Sequence, residues 1–194
     1  MRVGVLALQG AFHAHLGTLQ RIGVDSCAVR RPVDLDGVDA VVIPGGESTT
    51  MSMLLSSSGL LEPLRRFAAD GQPIFGTCAG MIVLASDIED GRDDQVALGA
   101  IDITVQRNGY GRQLQSVETD ITMPGATSFH AIFIRAPRVT RVGEGVEVLA
   151  LHHGDPVLLR QGSVLVASFH PELTDDPAIH ELFINSVLRA GISG

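Results

Sequence analysis

The chain of 194 residues has no tryptophan, one tyrosine and two cysteines, and its acidic residues outnumber its basic ones by 22 to 14. With 45% hydrophobic residues but only 4% aromatic ones, a core has to be built from Val, Leu, Ile, Ala and Phe, the palette of a parallel α/β sheet. Cys27 and Cys78 are too few for a disulfide framework, and neither stands in a CxxC or Cys/His zinc spacing. That excludes a disulfide scaffold, predicts no metal site, and points to a reduced, cytoplasmic setting. A formal net charge of −8 argues against a nucleic-acid backbone or an anionic membrane as the main partner. No apolar run approaches the ~18 residues of a membrane span. The run at 3–8 is too short for a signal peptide and is broken by Gln9 and His13. The length suits one domain over residues 1–194.

What is present alternates strand and helix. Residues 3–8 read as a strand. A helix over 11–22 follows, with Phe12, Leu16, Leu19 and Ile22 on one face and Gly23 closing it. Strands at 26–29 and 40–43, joined by a loop through Arg30-Arg31-Pro32, complete a parallel βαβ pattern. Ser48 or Thr49 is placed to cap a helix starting near Met51, and a further helix is predicted over 60–69. Residues 89–94 read as a solvated loop. Beyond them the texture turns mostly to strands, at 100–105, 115–121, 131–134, 146–151, 157–159 and 164–168, punctuated by turn signals such as Asn108-Gly109, Pro124-Gly125 and Gly154-Asp155-Pro156. These complete the main sheet and add a small antiparallel one. A last helix over 177–189 is expected to bury Ile179, Leu182, Phe183, Val187 and Leu188.

Three stretches carry chemistry. Gly76-Thr77-Cys78-Ala79-Gly80 is the cysteine version of the Gly-x-Ser-x-Gly elbow, a sharp strand-to-helix turn that exposes its nucleophile at a helix N-terminus. The plainer alternative is a buried structural cysteine beside two packing glycines. Pro44-Gly45-Gly46-Glu47-Ser48 follows a strand, and its glycine pair can present backbone N–H groups to an oxyanion. It is equally the strand-to-helix loop of any doubly wound sheet. His170-Pro171-Glu172 ends a late strand; in an extended chain the two outer side chains share a face, so the carboxylate can orient the imidazole. Alone, His-x-Glu is more often an ordinary strand-end loop. All three fall on the carboxyl edge of one parallel sheet, where α/β active sites form, and together they point to a Cys-His-Glu nucleophilic site. The pair His152-His153 looks metal-like, but adjacent strand residues face opposite ways and no third ligand has suitable spacing.

The elbow with a late His-Pro-Glu resembles the triad class of glutamine amidotransferases. Leu8-Gln9-Gly10, Pro44 to Thr49, Phe75 to Gly80, Gln106-Arg107-Asn108 with Gly111-Arg112-Gln113, Phe133 to Pro137 and Ser168 to Leu173 together are similar to the glutaminase subunits of pyridoxal 5′-phosphate synthases. The similarity runs through essentially the whole chain. It implies a three-layer α/β/α, flavodoxin-like fold, with Cys78 as nucleophile, His170 as base and acid, and Glu172 as its orienter. It further implies that Gly46, Glu47, Ser48, Arg107, Ile134 and Arg135 hold L-glutamine, that backbone amides of Gly46 and Ala79 meet the oxyanion, that no cofactor is needed, and that ammonia goes to a separate barrel-type synthase subunit. Two positions depart from the pattern: Ala14, where an acidic residue before His15 is expected, and Gly109-Tyr110, a variant of a Ser-Phe pair. The rival readings are a cysteine hydrolase or peptidase of similar fold and a non-catalytic binding domain.

Overall fold

Successive strand residues point to opposite faces, and the short apolar runs of this chain have both faces to bury. The computed structural model describes residues 1–109, 116–123 and 128–192. The Pro124-Gly125 turn, Tyr110, Gln115 and Gly111-Arg112-Gln113 lie outside the described residues. The first half alternates: β1 (Arg2–Leu6), α1 (Phe12–Arg21), β2 (Asp25–Val29), β3 (Ala40–Ile43), α2 (Ser48–Ser57), α3 (Leu61–Ala69), β4 (Ile74–Thr77) and α4 (Ala79–Leu84). Then come β5 (Ala85–Ile88), β6 (Ile101–Gln106), β7 (Ser116–Thr122), β8 (Ser128–Ile134), β9 (Arg138–Val142), β10 (Glu147–His152), β11 (Asp155–Gln161) and β12 (Val164–Ala167), before the last helix, α5 (Ala178–Ile192).

The main sheet has the order β10-β11-β12-β4-β3-β1-β2. From β12 to β2 all neighbours are parallel, while β11 and β10 extend one side antiparallel. The parallel part, read β2-β1-β3-β4-β12, is the 2-1-3-4-5 order of flavodoxin-like doubly wound sheets. On one face Val3, Val5, Val42, Phe75 and Leu165 pack with Leu19 of α1 and with Ile179 and Phe183 of α5. On the other, Leu6, Val41, Ile43, Ile74 and Val166 pack with Met51 and Leu55 of α2, Leu64 of α3 and Met81 of α4. Three layers result, as the α/β pattern predicts. A three-stranded sheet, β5-β6-β9, and the β7-β8 hairpin are added at the rim.

The differences from the sequence reading have local causes. No strand is predicted at β5 or β9, because their apolar signal is faint: β9 buries only Val139, and β5 carries exposed Ser86 and Asp87. Pro32–Leu35, read as loop, is a 3-10 turn whose Asp34 carboxylate accepts from the Arg30 and Arg31 backbone N–H groups. Pro156, read as a turn residue, lies in the first turnward residues of β11, a position that costs little because a strand start tolerates a missing donor. Leu188 of α5, expected inside, is 49% exposed.

Candidate active site

β3, β4 and β12 lie side by side and run the same way, so the loops leaving them open on one edge of the sheet. β4 delivers Cys78, which adopts φ 48° and ψ −104° between the strand and Ala79, the first residue of α4. A left-handed φ on a non-glycine residue is strained, and such strain is kept where the surrounding structure enforces it. Here the enforcing contacts are the two flanking glycines. A methyl group on Gly80 would lie 2.1 Å from the Ile43 carbonyl oxygen, and one on Gly76 would lie 2.7 Å from the Gly80 carbonyl carbon. Only glycine lets α4 pack this closely against β3 and β4.

β12 runs out through Ser168-Phe169 to His170. His170 Nδ1 and Glu172 Oε1 are 2.8 Å apart, both side chains largely buried. A carboxylate only accepts, so Nδ1 carries the proton and donates. The reason for this pairing differs from the predicted one. The chain is not extended here: Pro171–Leu173 forms a 3-10 turn, and the turn folds Glu172 back onto the ring. Burial alone would lower the His170 pKa, but its interactions with Cys78 and Glu172 outweigh burial and push it up to about 10. Burial likewise opposes ionisation of Glu172, yet the facing His15 and His170 leave its carboxyl below the usual range.

The loop after β3 passes directly over this pair. A methyl group on Gly45 would lie 2.3 Å from His170 Cε1 and 3.2 Å from Cys78 Cβ. The backbone of Glu47 is gripped from β1's side: Gln9 Nε2 donates to the Glu47 carbonyl at 2.8 Å, and Gln9 Oε1 accepts from the Glu47 N–H at 3.2 Å. Glu47, rather than Ser48 or Thr49, caps α2, accepting from the backbone N–H groups of Thr49 and Thr50 and from the Thr50 hydroxyl. Its carboxyl is thereby held down at about 2, against the opposing effect of partial burial. The helix accordingly starts three residues earlier than predicted.

A pocket of about 310 Å³ opens between these loops, lined by Gly46, Glu47, Ser48, Cys78, Arg107, Ile134, Arg135 and His170, with Ile82 and Asn108 in addition. The residues expected to bind a substrate are therefore gathered on one cavity, with Glu172 behind His170 and Ala79 behind Cys78. Cys78 Sγ lies 3.9 Å from the Ile134 carbonyl oxygen. Arg135, on the rim, has a left-handed φ of 45°. Arg107 Nη1 donates to Thr49 Oγ1 at 3.0 Å and Gln95 Oε1 at 2.6 Å, while its buried Nε has no partner. A cleft of about 400 Å³ between the Pro32 turn and α3 contains no cysteine or histidine.

Sequence reasoning missed Gln95 and Asp90, which it placed in or beside a solvated loop. Gln95 also donates to Ser48 Oγ at 2.9 Å, and Asp90 accepts from the Arg107 backbone N–H at 2.6 Å, so the two fix the pocket wall. Nothing in local spacing marks them. His15 and His180, which sequence reasoning did not single out, are both fully buried, His15 facing Glu172 and His180 packed against His15. His152 and His153 do not face opposite ways: His153 has φ 51° and leaves the strand, bringing the two rings to 4.1 Å, and His152 stacks on Phe133. Among the described residues, no group of three or more His, Cys, Asp or Glu side chains could hold a metal ion.

Fold and site together define a class. A solved structure described as a glutamine amidotransferase shares 47% sequence identity and superposes with a TM-score of 0.90, over 95% of this chain and 98% of that one. PurLQS from Thermotoga maritima matches at a TM-score of 0.70 over 97% of this chain and 98% of that one, and at 14% identity it shares the fold alone. The model of the SNO glutamine amidotransferase family matches residues 5–189, and the chain belongs to that family. Pyridoxal 5′-phosphate synthase subunit PdxT of Mycobacteroides abscessus is 55% identical over 190 residues, covering 97% of this chain and 98% of the relative. The PdxT subunit of Thermosipho africanus is 53% identical over 97% of this chain and the whole of its own.

Proposed function

We propose that the chain hydrolyses L-glutamine to L-glutamate and ammonia and passes the ammonia to a separate, barrel-type subunit that builds pyridoxal 5′-phosphate. The observation that carries the chemistry is Cys78 and His170 lining one pocket, with Glu172 bonded to His170 from behind; the names of the full-length relatives support the substrate and the partner. Cys78 Sγ attacks the carboxamide carbon of glutamine, and the carbonyl becomes an oxyanion. Backbone N–H groups of Gly46 and Ala79 are assigned to it. Ala79 opens α4, so its N–H has no intrahelical acceptor. His170 gives its proton to the departing ammonia, leaving a glutamyl thioester, and then takes a proton from the water that hydrolyses it. Glu172 holds the imidazole in orientation. The scheme needs only side chains, backbone and water.

Gly46, Glu47, Ser48, Arg107, Ile134 and Arg135 are assigned to holding glutamine. Arg107 lines the pocket, and its guanidinium suits the substrate's α-carboxylate, since a guanidinium matches a carboxylate fork. Glu47 contributes through its backbone, its carboxylate being occupied in capping α2. The reading takes residues 1–194 as one glutaminase domain, supported by two core faces sharing one sheet. It places the chain in the cytoplasm; among the described residues no helix is long and apolar enough to cross a membrane. Cys78→Ser tests it: glutamate release should fall more than about a hundredfold with thermal unfolding unchanged, because a serine hydroxyl is a far weaker nucleophile beside His170. Turnover comparable to the parent would remove Cys78 from the mechanism. Cleavage of peptides or esters in place of glutamine would favour a general cysteine hydrolase.

A further inference from the structure

Behind the triad lie two buried imidazoles that the hydrolysis scheme does not use. His15 comes from α1 and His180 from α5, and neither has any exposed surface. His15 Nε2 faces Glu172 Oε2 at 3.4 Å and Thr77 Oγ1 at 3.3 Å, while its Nδ1 lies 2.9 Å from His180 Nε2. Glu172 Oε1 is engaged with His170. Oε2 is buried and has no hydrogen bond of its own. The group that faces it therefore decides how the carboxylate sits.

The tautomers follow from the pattern of partners. If both rings carry the proton on Nε2, His180 donates to His15 Nδ1, and the His15 N–H points at Glu172 Oε2 and Thr77 Oγ1. The one site then left over is the acceptor Nδ1 of His180, which has no partner. If both carry it on Nδ1, a lone pair of His15 faces the carboxylate and His180 Nδ1–H is a buried donor with nothing to bond. The second arrangement combines repulsion with an unmet donor and is disfavoured. Both rings stay neutral. Burial lowers the His15 pKa and His170 adds to this, outweighing the attraction of Glu172. His180 is pushed down to about 3 by burial, then by His15 and Arg21, against the pull of Glu172.

We propose that His15 is a positioning residue of the triad: held by His180 as the neutral Nε2–H tautomer, it braces the second carboxylate oxygen of Glu172 and so sets how Glu172 orients His170. The inference rests on the Cys-His-Glu reading above. It makes the first and last helices part of the catalytic geometry, since His15 and His180 reach the triad from opposite ends of the chain. A bare apolar packing role would need neither the facing nitrogen nor the unsatisfied oxygen.

The test uses the full chain and three variants. His15→Leu removes the donor, His15→Gln keeps an N–H near the position of Nε2, and Cys78→Ser is the control. The readouts are kcat and KM for glutamine, thermal unfolding, and the low-field proton NMR resonance of His170 Nδ1–H, which reports its bond to Glu172. For His15→Leu, kcat should fall roughly tenfold to a hundredfold, as expected of a misplaced catalytic group, with KM within about twofold and the resonance shifted. His15→Gln should restore most of kcat and of the resonance. A His15→Leu variant with parental kcat and an unmoved resonance overturns the proposal, and so does a His15→Gln variant as impaired as His15→Leu. If His15→Leu does not fold, His180→Phe takes its place; it frees His15 to change tautomer and should lower kcat in the same direction, and an unchanged kcat overturns the brace. An active Cys78→Ser variant would instead defeat the triad reading, whatever the His15 variants do.

Discussion

At Cys78 the backbone and the chemistry make the same demand. The left-handed φ that turns the chain from β4 into α4 also places the sulfur beside His170 and over the pocket, so the strain is held by the packing of Gly76 and Gly80. The His170 proton is stabilised by Cys78 and Glu172 despite burial. Because that pKa is raised, the protonated ring persists well above the ordinary imidazole range and is lost only as pH rises through about 10. A general acid needs that proton, so kcat/KM for glutamine should hold across neutral pH and fall on the alkaline side near 10 rather than near 6.5. A pH–rate profile of the parent locates that limb. His170→Asn should abolish it along with nearly all turnover. Glu172→Gln should cost less than His170→Asn, since in the proposed scheme one group orients the base and the other is the base. Reversed severities would reassign the two roles.

Among the elements, α2 shows how a pocket residue can hold the scaffold. The Glu47 carboxylate accepts from two free N–H groups of the first turn, and the helix dipole favours a negative charge there. Glu47→Ala should therefore cost about 1 kcal/mol at neutral pH, read by urea unfolding. The pH dependence has a definite sign. The folded-state pKa is depressed to about 2, so the contribution is fully present above the ordinary glutamate value of 4.5, shrinks as pH falls below it, and is gone below about 2. The stability gap between parent and variant should narrow accordingly between pH 5 and 2; a gap independent of pH would mean the carboxylate charge is not what caps the helix. The cap was read from sequence as Ser48 or Thr49 because those types head the usual preference. Glu47 prevailed because Gln9 holds both its backbone N–H and its carbonyl, and the helix starts at Ser48. Such a contact spans 38 residues and has no local signature.

At the scale of the whole molecule, the carboxyl edge of β1, β3, β4 and β12 brings the site to the surface, and Gln9-Gly10 stands at the same edge with Gly10 exposed. Gln9 grips the peptide next to the proposed oxyanion donor, Gly46. A docking subunit that engages Gln9-Gly10 can reset that peptide, and glycine allows the change at little steric cost. The free chain should thus be a poor glutaminase, and adding the synthase subunit should raise kcat several-fold or more with little change in KM, because an oxyanion forms only in the transition state. Steady-state glutaminase assays with and without that subunit decide it; full kcat from the chain alone would remove the switch, and an effect confined to KM would move it to glutamine binding. The amino-acid sequence by itself determined the strand-and-helix alternation, the two-faced parallel sheet and the places where Cys78 and His170 leave it. Those follow from patterns a few residues long: short continuous apolar runs, glycines two either side of a turn, a proline after a strand end. Only the tertiary structure decided that Gln95 holds Arg107 and Ser48, that a 3-10 turn presses Glu172 onto His170, and that His15 and His180 stand behind Glu172. The His15 contacts join residues 62 and 165 positions apart, and no periodicity encodes which buried side chains will meet when two faces of a sheet are covered.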